Sequence, residues 1–285
     1  MPASKDRLRW DGLPAPVRAV IEELAGGRVV AATNCAGGYS PGLASRLDLA
    51  DRRRVFAKAI SSEDWPVEYA MYVDEARITG HLPTGVSAPR LIGTASYGAY
   101  LVLVFEYVDG REPGHPWRPD ELERVLEAIT AHPAPEGLPT DFPRLGGWRE
   151  APDVPGWDRS ELIELEDRGM EVVQGNELVH GDLYPHNIVL GADRVYFVDW
   201  PHARRGSASL DVIAVLSTTA WHGLDPEPYA AKHPLTARLA RDDLTAILAA
   251  HAGFCLKGAG PGPVGEYKRG LGMAALDWLY ARRQE

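Results

Sequence analysis

The order of strand-like and helix-like segments is the feature that most restricts what this chain can fold into. Apolar runs typical of strands fill the first hundred residues, and the pattern becomes helical after Asp109-Gly110, a turn signal. The strand-like runs cover residues 28–36, 43–50, 54–60, 90–95 and 100–108, with one helical stretch at 66–82. This order predicts an α+β protein: five strands and one helix, followed by a mainly helical part with a small β insert.

Composition and charge narrow the class of protein. With 285 residues, 45% of them hydrophobic and 25% charged, the chain has the profile of a globular protein. No apolar run approaches the roughly 18 residues that span a bilayer, and residues 1–7 lack the apolar core of a signal peptide. A net charge of −10 argues against neutralisation of nucleic-acid phosphates. We therefore expect a cytoplasmic protein, monomeric or homodimeric, with neither a membrane nor a nucleic acid as partner.

Three polar side chains in residues 178–200 carry the most specific chemical signal. Asp182, Asn187 and Asp199 lie among apolar, strand-like residues, and Asp199 ends the run Val195-Tyr-Phe-Val. A hairpin there could bring Asn187 and Asp199 side by side as hard oxygen ligands for Mg²⁺. Asp182, five residues before Asn187, would remain free to accept a proton. Phosphoryl transfer needs this set of groups.

The same segment resembles a known family. His180-Gly181-Asp182, Asn187 after four further residues, and then Asp199-Trp200 are similar to the catalytic and metal-binding motifs of aminoglycoside phosphotransferases and related small-molecule kinases. The resemblance implies an α+β, two-lobed, protein-kinase-like fold with a five-stranded antiparallel sheet plus a helix in the first lobe. We expect lobes at 1–109 (nucleotide-binding) and 110–285 (catalytic loop and substrate), with a hinge at about 106–111.

The resemblance also assigns roles to individual residues. It implies that Asp182 is the catalytic base, that Asn187 and Asp199 bind Mg²⁺, and that the phosphate donor is ATP, with GTP as an alternative. Asp211, twelve residues after Asp199, would brace the catalytic loop. His180 is interpreted as a packed anchor of that loop, because its aspartate neighbour already fills the role of base.

A kinase-like first lobe also needs a strand lysine paired with a helix glutamate on the ATP phosphates. Lys58 lies in Val55-Phe-Ala-Lys-Ala-Ile60, and no other lysine occurs between Lys5 and Lys232. A lysine in an apolar strand is costly to bury without a partner. Glu75, in the stripe of Met71, Ile78 and Leu82, is the preferred partner, and Glu68 is the competitor.

Two further segments are expected to contact nucleotide. Gly37, Gly38 and Ser40 lie in the connection between the first two strands, where glycines let backbone N–H groups approach phosphate. The segment departs from Gly-x-Gly-x-x-Gly, and a plain hairpin turn would need the same glycines. Glu106 and Val108, at the end of the fifth strand, would present backbone groups to adenine.

The resemblance implies that the acceptor is a hydroxyl of a small molecule, and the charge of the sequence bears on the chemistry of that molecule. Residues 150–182 hold ten acidic residues and two arginines, which accounts for eight of the ten net negative charges. Within a helical stretch, Glu161, Glu164, Asp167 and Glu171 form either a solvated face or one wall of a pocket for a cation. The preferred substrate is an aminoglycoside-like cation, which implies antibiotic modification. The alternatives are a choline, homoserine or sugar kinase of the same fold and a nucleotide-binding regulator without turnover.

Overall fold

The computed structural model of the protein describes residues 7–35 and 40–284, and these fall into two compact units. The described part of the first unit runs to Leu82 and adds Ser87–Arg111 and Gly191–His202. The second unit contains Pro83–Val86, Glu112–Leu190 and the described residues from Ala203 onward. The nucleotide-binding and substrate-binding roles expected for the two halves of the chain remain predictions.

A five-stranded antiparallel sheet in the order β1-β2-β3-β5-β4 forms the centre of the first unit. Its strands are β1 Val29–Asn34, β2 Leu43–Leu49, β3 Arg54–Ser61, β4 Leu91–Tyr97 and β5 Tyr100–Glu106. All five agree with the strand-like runs of the sequence to within a few residues. The predicted α+β fold class is confirmed.

One helix of this unit was not predicted from the sequence. Helix α1, Ala15–Ala25, precedes the sheet and buries Val17, Ile21 and Ala25, which recur every four residues and so share one helical face. Gly26 ends it in the left-handed conformation (φ 66°), which glycine adopts without steric cost. The apolar face of α1 packs with strand residues such as Leu47 in one hydrophobic cluster.

The alternation of side chains along β3 decides which face of the sheet each residue joins. Val55, Ala57 and Ala59 point into the cluster that contains α1. The residues between them point to the opposite face, where Ile60 packs with Tyr72 of helix α2, Pro66–Thr79. A strand has a side-chain period of two, so Lys58 also lies on the α2 face.

The second unit is mainly helical. Five short strands remain, of which β6 Gly110–Arg111 and β9 Val195–Phe197 belong to the first unit and β8 Ile188–Gly191 runs to its boundary. The other two, β7 Glu177–Val179 and β10 Arg204–Gly206, pair antiparallel within the second unit. The helices are α3 Pro119–Ala128, α4 Arg159–Val172, α5 Ser209–Trp221, α6 Glu227–Lys232, α7 Pro234–Ala237, α8 Arg241–Lys257 and α9 Pro263–Gln284. No helix among the described residues is both long and apolar enough to cross a membrane.

Helices α4 and α8 approach each other closely. A Cβ on Gly169 of α4 would lie 2.5 Å from the carbonyl oxygen of Ala246 in α8, so glycine is required at this crossing. The buried residues of α4 are Leu162, Glu166 and Gly169.

Candidate active site

The buried lysine of β3 is held by two carboxylates. The Nζ of Lys58 donates to both carboxylate oxygens of Glu75, at 2.6 and 2.7 Å, and to Oδ1 of Asp199 at 2.8 Å. Glu68, the competing partner, lies two turns nearer the start of α2 and is not among the buried residues of that helix. The structure therefore brings together Lys58, Glu75 and Asp199, which lie up to 141 residues apart in sequence.

Burial and charge oppose each other in this cluster. Burial alone would lower the pKa of Lys58, but the negative charges of Asp199 and Glu75 outweigh it and raise the pKa above its ordinary value. Burial raises the pKa of the Glu75 carboxyl, and the Lys58 ammonium opposes that rise. Lys58 therefore stays protonated, and its ammonium is a compact positive charge of the kind that can bind an anion such as a phosphate.

Asp199 stands out in both exposure and backbone conformation. Its side chain is 47% exposed, whereas that of Glu75 is 3% exposed. Its φ is 69°, a left-handed value that few residues other than glycine adopt, although aspartate tolerates it better than most. Such local strain is concentrated at functional sites. The carboxylate is thus presented to solvent directly after β9, beside the lysine.

The predicted phosphate-covering segment is only partly described. Gly37 and Gly38 lie outside the described residues. The hydroxyl of Ser40 lies 2.8 Å from the hydroxyl of Tyr72, whose ring lies 5.7 Å from the Lys58 ammonium. Tyr72 therefore connects the segment to the lysine, a contact that the sequence did not indicate.

The end of β5 holds the two residues predicted to meet adenine. Glu106 is the last residue of β5 and is half-buried, and its backbone N–H donates to the carbonyl of Arg90 at 3.0 Å. Val108, also half-buried, follows the strand. Their predicted contact with adenine stays a prediction.

The catalytic-loop motif of the second unit forms a compact hydrogen-bonded turn around Asp182. The side-chain nitrogen of Asn187 donates to the carbonyl oxygen of Asp182 at 2.8 Å and to its Oδ2 at 3.2 Å. The ring Nδ1 of His180, a buried side chain, accepts the backbone N–H of Asp182 at 3.3 Å. The loop thus fixes the orientation of a carboxylate whose side chain is only 12% exposed.

Asp211, near the start of α5, holds the backbone of this loop by hydrogen bonds. Its two carboxylate oxygens accept the backbone N–H groups of His180 at 2.7 Å and Gly181 at 3.1 Å. Burial raises the pKa of Asp211 to about 7, against the lowering effect of these two hydrogen bonds. Gly181 has φ 76°, so the glycine of the motif supplies a conformation that the turn requires.

An arginine that the sequence did not single out contacts the central carboxylate. The Nη2 of Arg144 lies 2.5 Å from Oδ1 of Asp182, and its guanidinium lies over the ring of Phe254 at 5.4 Å. Arg144 belongs to the proline-rich loop before α4, 38 residues from Asp182. No local periodicity or motif marks it, and only the folded chain reveals the contact.

The four carboxylates of α4 that were predicted to attract a cation are all exposed. Two of them form ion pairs: Glu161 with Arg283, and Asp167 with Arg149 at 2.8 Å. Glu164 and Glu171 lie on the same exposed side of the helix. The predicted role of these residues in binding a substrate stays a prediction.

Comparison of sequences identifies one matching family model, described as the phosphotransferase enzyme family, which matches residues 32–243. These residues include Lys58, Glu75, Asp182, Asn187 and Asp199, and they amount to more than half of the chain. No curated protein matches the sequence.

Solved structures of similar fold include three kinases or phosphotransferases. An aminoglycoside phosphotransferase from Alicyclobacillus acidocaldarius is 16% identical, with a TM-score of 0.57 over 95% of this chain and 96% of that one. A choline/ethanolamine kinase family protein from Mesorhizobium loti is 12% identical, with a TM-score of 0.58 over 94% and 99%. The amicoumacin kinase hAmiN, in complex with AMP-PNP, Ca²⁺ and Ami, is 12% identical, with a TM-score of 0.54 over 92% and 93%. At these identities the likeness establishes the protein-kinase-like fold.

Proposed function

Because the chain belongs to the phosphotransferase enzyme family, we propose that it transfers the γ-phosphate of ATP to a hydroxyl of a small molecule. The observation that carries this proposal is the buried ammonium of Lys58 held between the carboxylates of Glu75 and Asp199. A compact cation kept in place by two carboxylates is suited to nucleotide phosphates. As a small-molecule kinase with a hydroxyl acceptor, the protein uses a nucleotide and a divalent metal ion.

Asp182 is proposed as the group that accepts the proton of the acceptor. As the hydroxyl oxygen forms its bond to the γ-phosphorus, the bond from that phosphorus to the β–γ bridging oxygen breaks and the hydroxyl proton passes to the Asp182 carboxylate. Asn187 and His180 hold the carboxylate and the backbone of Asp182 in one orientation. Positioning of this kind is the main contribution that a protein can make to phosphoryl transfer.

Asn187 and Asp199 are proposed, on the motif, as the oxygen ligands of Mg²⁺. The residues fit that role: the Asp199 carboxylate is half exposed, and Asn187 uses its side-chain nitrogen toward Asp182, which leaves its oxygen as the ligand atom. Among the described residues no group of three or more His, Cys, Asp or Glu side chains forms a metal cage. Mg²⁺ binds through one or two protein oxygens plus phosphates, and when bound it would neutralise charge that develops on the phosphates.

The identity of the acceptor is the finer part of the proposal. An aminoglycoside-like cation remains the prediction from sequence, and antibiotic modification depends on it. Choline, homoserine and sugars remain alternatives within the same reaction class. The exposed, partly arginine-paired carboxylates of α4 lend the cationic acceptor no additional support.

A screen of hydroxylated compounds tests the reaction. The protein is incubated with Mg²⁺-ATP and each compound, ATP consumption is followed, and mass spectrometry detects a phosphate ester of the compound. We expect acceptor-dependent ATP consumption that Lys58→Met removes. Binding of ATP without consumption by any acceptor, together with equal behaviour of Lys58→Met, would contradict the proposal and favour a nucleotide-binding regulator.

A further inference from the structure

The loop that carries Arg144 is fixed to two helices. The backbone N–H of Gly146 donates to the carbonyl of Ala250 in α8 at 2.8 Å. The backbone N–H of Trp148 donates to the buried Glu166 of α4 at 2.9 Å, and its indole N–H donates to the carbonyl of Ala249 at 2.6 Å. Arg144 is therefore held by a braced backbone and does not have to be ordered when a ligand binds.

A second cation meets the same aromatic ring as Arg144. The ammonium of Lys268, in α9, lies 4.8 Å from the centre of the Phe254 ring, and the guanidinium of Arg144 lies 5.4 Å from it. Burial raises the pKa of the Cys255 thiol, and the positive charges of both cations oppose that rise. Within the described part of the chain, Lys268 forms no ion pair with a carboxylate. Two positive charges thus lie at one aromatic ring, and one of them, Arg144, contacts Asp182.

Three other titratable groups of this cluster are neutral at physiological pH. Burial raises the pKa of Tyr184 well above its ordinary value and that of Cys255 to about 12, and it lowers the pKa of His251 to about 4. Asp211, which binds the backbone of the loop and has a pKa of about 7, is partly ionised. The charges of the cluster are then two cations against the Asp182 carboxylate and a partly ionised second one. The surplus is positive, and partial burial strengthens its attraction for an anion relative to that in water.

We propose that the acceptor carries an anionic group, a carboxylate or a phosphate, which Arg144 and Lys268 bind while the hydroxyl of the acceptor meets Asp182. The inference rests on the proposed function, because Asp182 is taken as the base. A guanidinium forms a fork of N–H donors that matches carboxylate and phosphate oxygens, and an ammonium adds a point charge. This acceptor is opposite in charge to the aminoglycoside-like cation that the acidic stretch of the sequence predicts.

Binding of four matched compounds tests this acceptor class. D-Glucuronate, D-glucose and D-glucosamine share a hydroxylated pyranose ring and differ in charge, and glucose 6-phosphate supplies a phosphate. Titration calorimetry with Mg²⁺ and AMP-PNP present measures each affinity without turnover. We expect glucuronate or glucose 6-phosphate to bind about tenfold or more tightly than glucose and glucosamine, and the better of the two identifies carboxylate or phosphate as the anion.

Matched variants connect the preference to the two residues. Arg144→Gln and Lys268→Gln should each weaken the anionic compound by about tenfold, with little change for glucose. Arg149→Gln, an exposed arginine five residues further along, and Lys257→Gln, an exposed lysine of α8 paired with Glu150, should bind the anion as the wild type does. Because Arg144 also holds Asp182, Lys268→Gln provides the independent test.

Two results would overturn the inference. One is an anionic compound that binds no more tightly than glucose, or less tightly than glucosamine. The other is an anion affinity that both variants retain. Either result could arise while phosphate transfer itself is intact. Conversely, the absence of phosphate transfer to any compound would contradict the proposed function. The binding measurement would still show whether the site prefers an anion, because it does not depend on turnover.

Discussion

At the scale of single residues, the Lys58–Glu75 pair shows how a buried charge depends on its partner. Lys58 is 12% exposed and Glu75 is 3% exposed, so Glu75 would be a buried charge without a compensating cation if Lys58 were removed. Lys58→Met should lower the free energy of unfolding at pH 8 by about 3–5 kcal/mol, because it leaves the Glu75 carboxylate buried. Urea denaturation measures this change.

A double variant separates the loss of the pair from the stranded charge. Lys58→Met with Glu75→Gln should be more stable than Lys58→Met alone, since the remaining group is neutral. Arg77→Met, which breaks the exposed pair with Asp74, should cost less than about 1 kcal/mol and serves as control. A double variant less stable than the single Lys58→Met would contradict the account.

Sequence reasoning found this pair for a physical reason. A lysine in an apolar strand and a glutamate within a helix stripe each signal a buried charge that needs a partner. The stripe itself was only partly right: Ile78 is buried, but Met71 is 36% exposed and Tyr72 takes the buried position. Arg144 could not be found in this way, because an arginine in an irregular loop has no period from which to infer its direction.

At the scale of elements, the contact between α5 and the catalytic loop predicts a pH dependence of stability. The pKa of Asp211 is about 7 in the folded protein and ordinarily 3.8, so between these values the folded state binds more protons than the unfolded state. Stability should therefore fall as pH rises through this range and level off above pH 7. The contribution between pH 5 and pH 8 is up to about 3 kcal/mol.

Asp211→Asn removes this titration and retains one acceptor oxygen, which can take one of the two loop N–H groups. The difference in unfolding free energy between pH 5 and pH 8, measured with urea, should be smaller in Asp211→Asn than in the wild type. Asp277→Asn, an exposed aspartate of α9, should leave the difference unchanged. Equal pH dependence in Asp211→Asn and the wild type would show that Asp211 is ionised in both states.

The elements themselves differ in how well the sequence predicted them. The strands were found because alternating or continuous apolar runs end at clear turn signals. Helix α1 was missed although Val17, Ile21 and Ala25 have helical spacing, since its two flanking prolines, Pro14 and Pro16, are also typical of loops. The buried face of α4 depends on the close approach of α8 at Gly169, which a single helix does not reveal.

At the scale of the whole molecule, the acidic stretch shows the limit of counting charge along a sequence. Only two arginines lie within residues 150–182, but many of the acidic residues there form ion pairs. Most of their basic partners come from other parts of the chain. The pairs are Glu150–Lys257, Asp153–Arg159, Glu161–Arg283, Glu166–Arg149, Asp167–Arg149, Glu177–Arg238 and Asp182–Arg144. The net charge of a sequence segment therefore does not give the electrostatic potential at that place in the fold. The charge of the acceptor has to be inferred from the groups around Asp182.

The central claim is that Asp182 accepts the proton of the acceptor during phosphate transfer. The most direct measurement is the rate of phosphate-ester formation by Asp182→Asn, alongside titration of Mg²⁺-ATP binding and with Asp193→Asn, an exposed aspartate, as control. The account predicts a rate lower by about 10²–10⁴ with nearly unchanged ATP affinity, and a control equal to the wild type. Wild-type turnover in Asp182→Asn would contradict it.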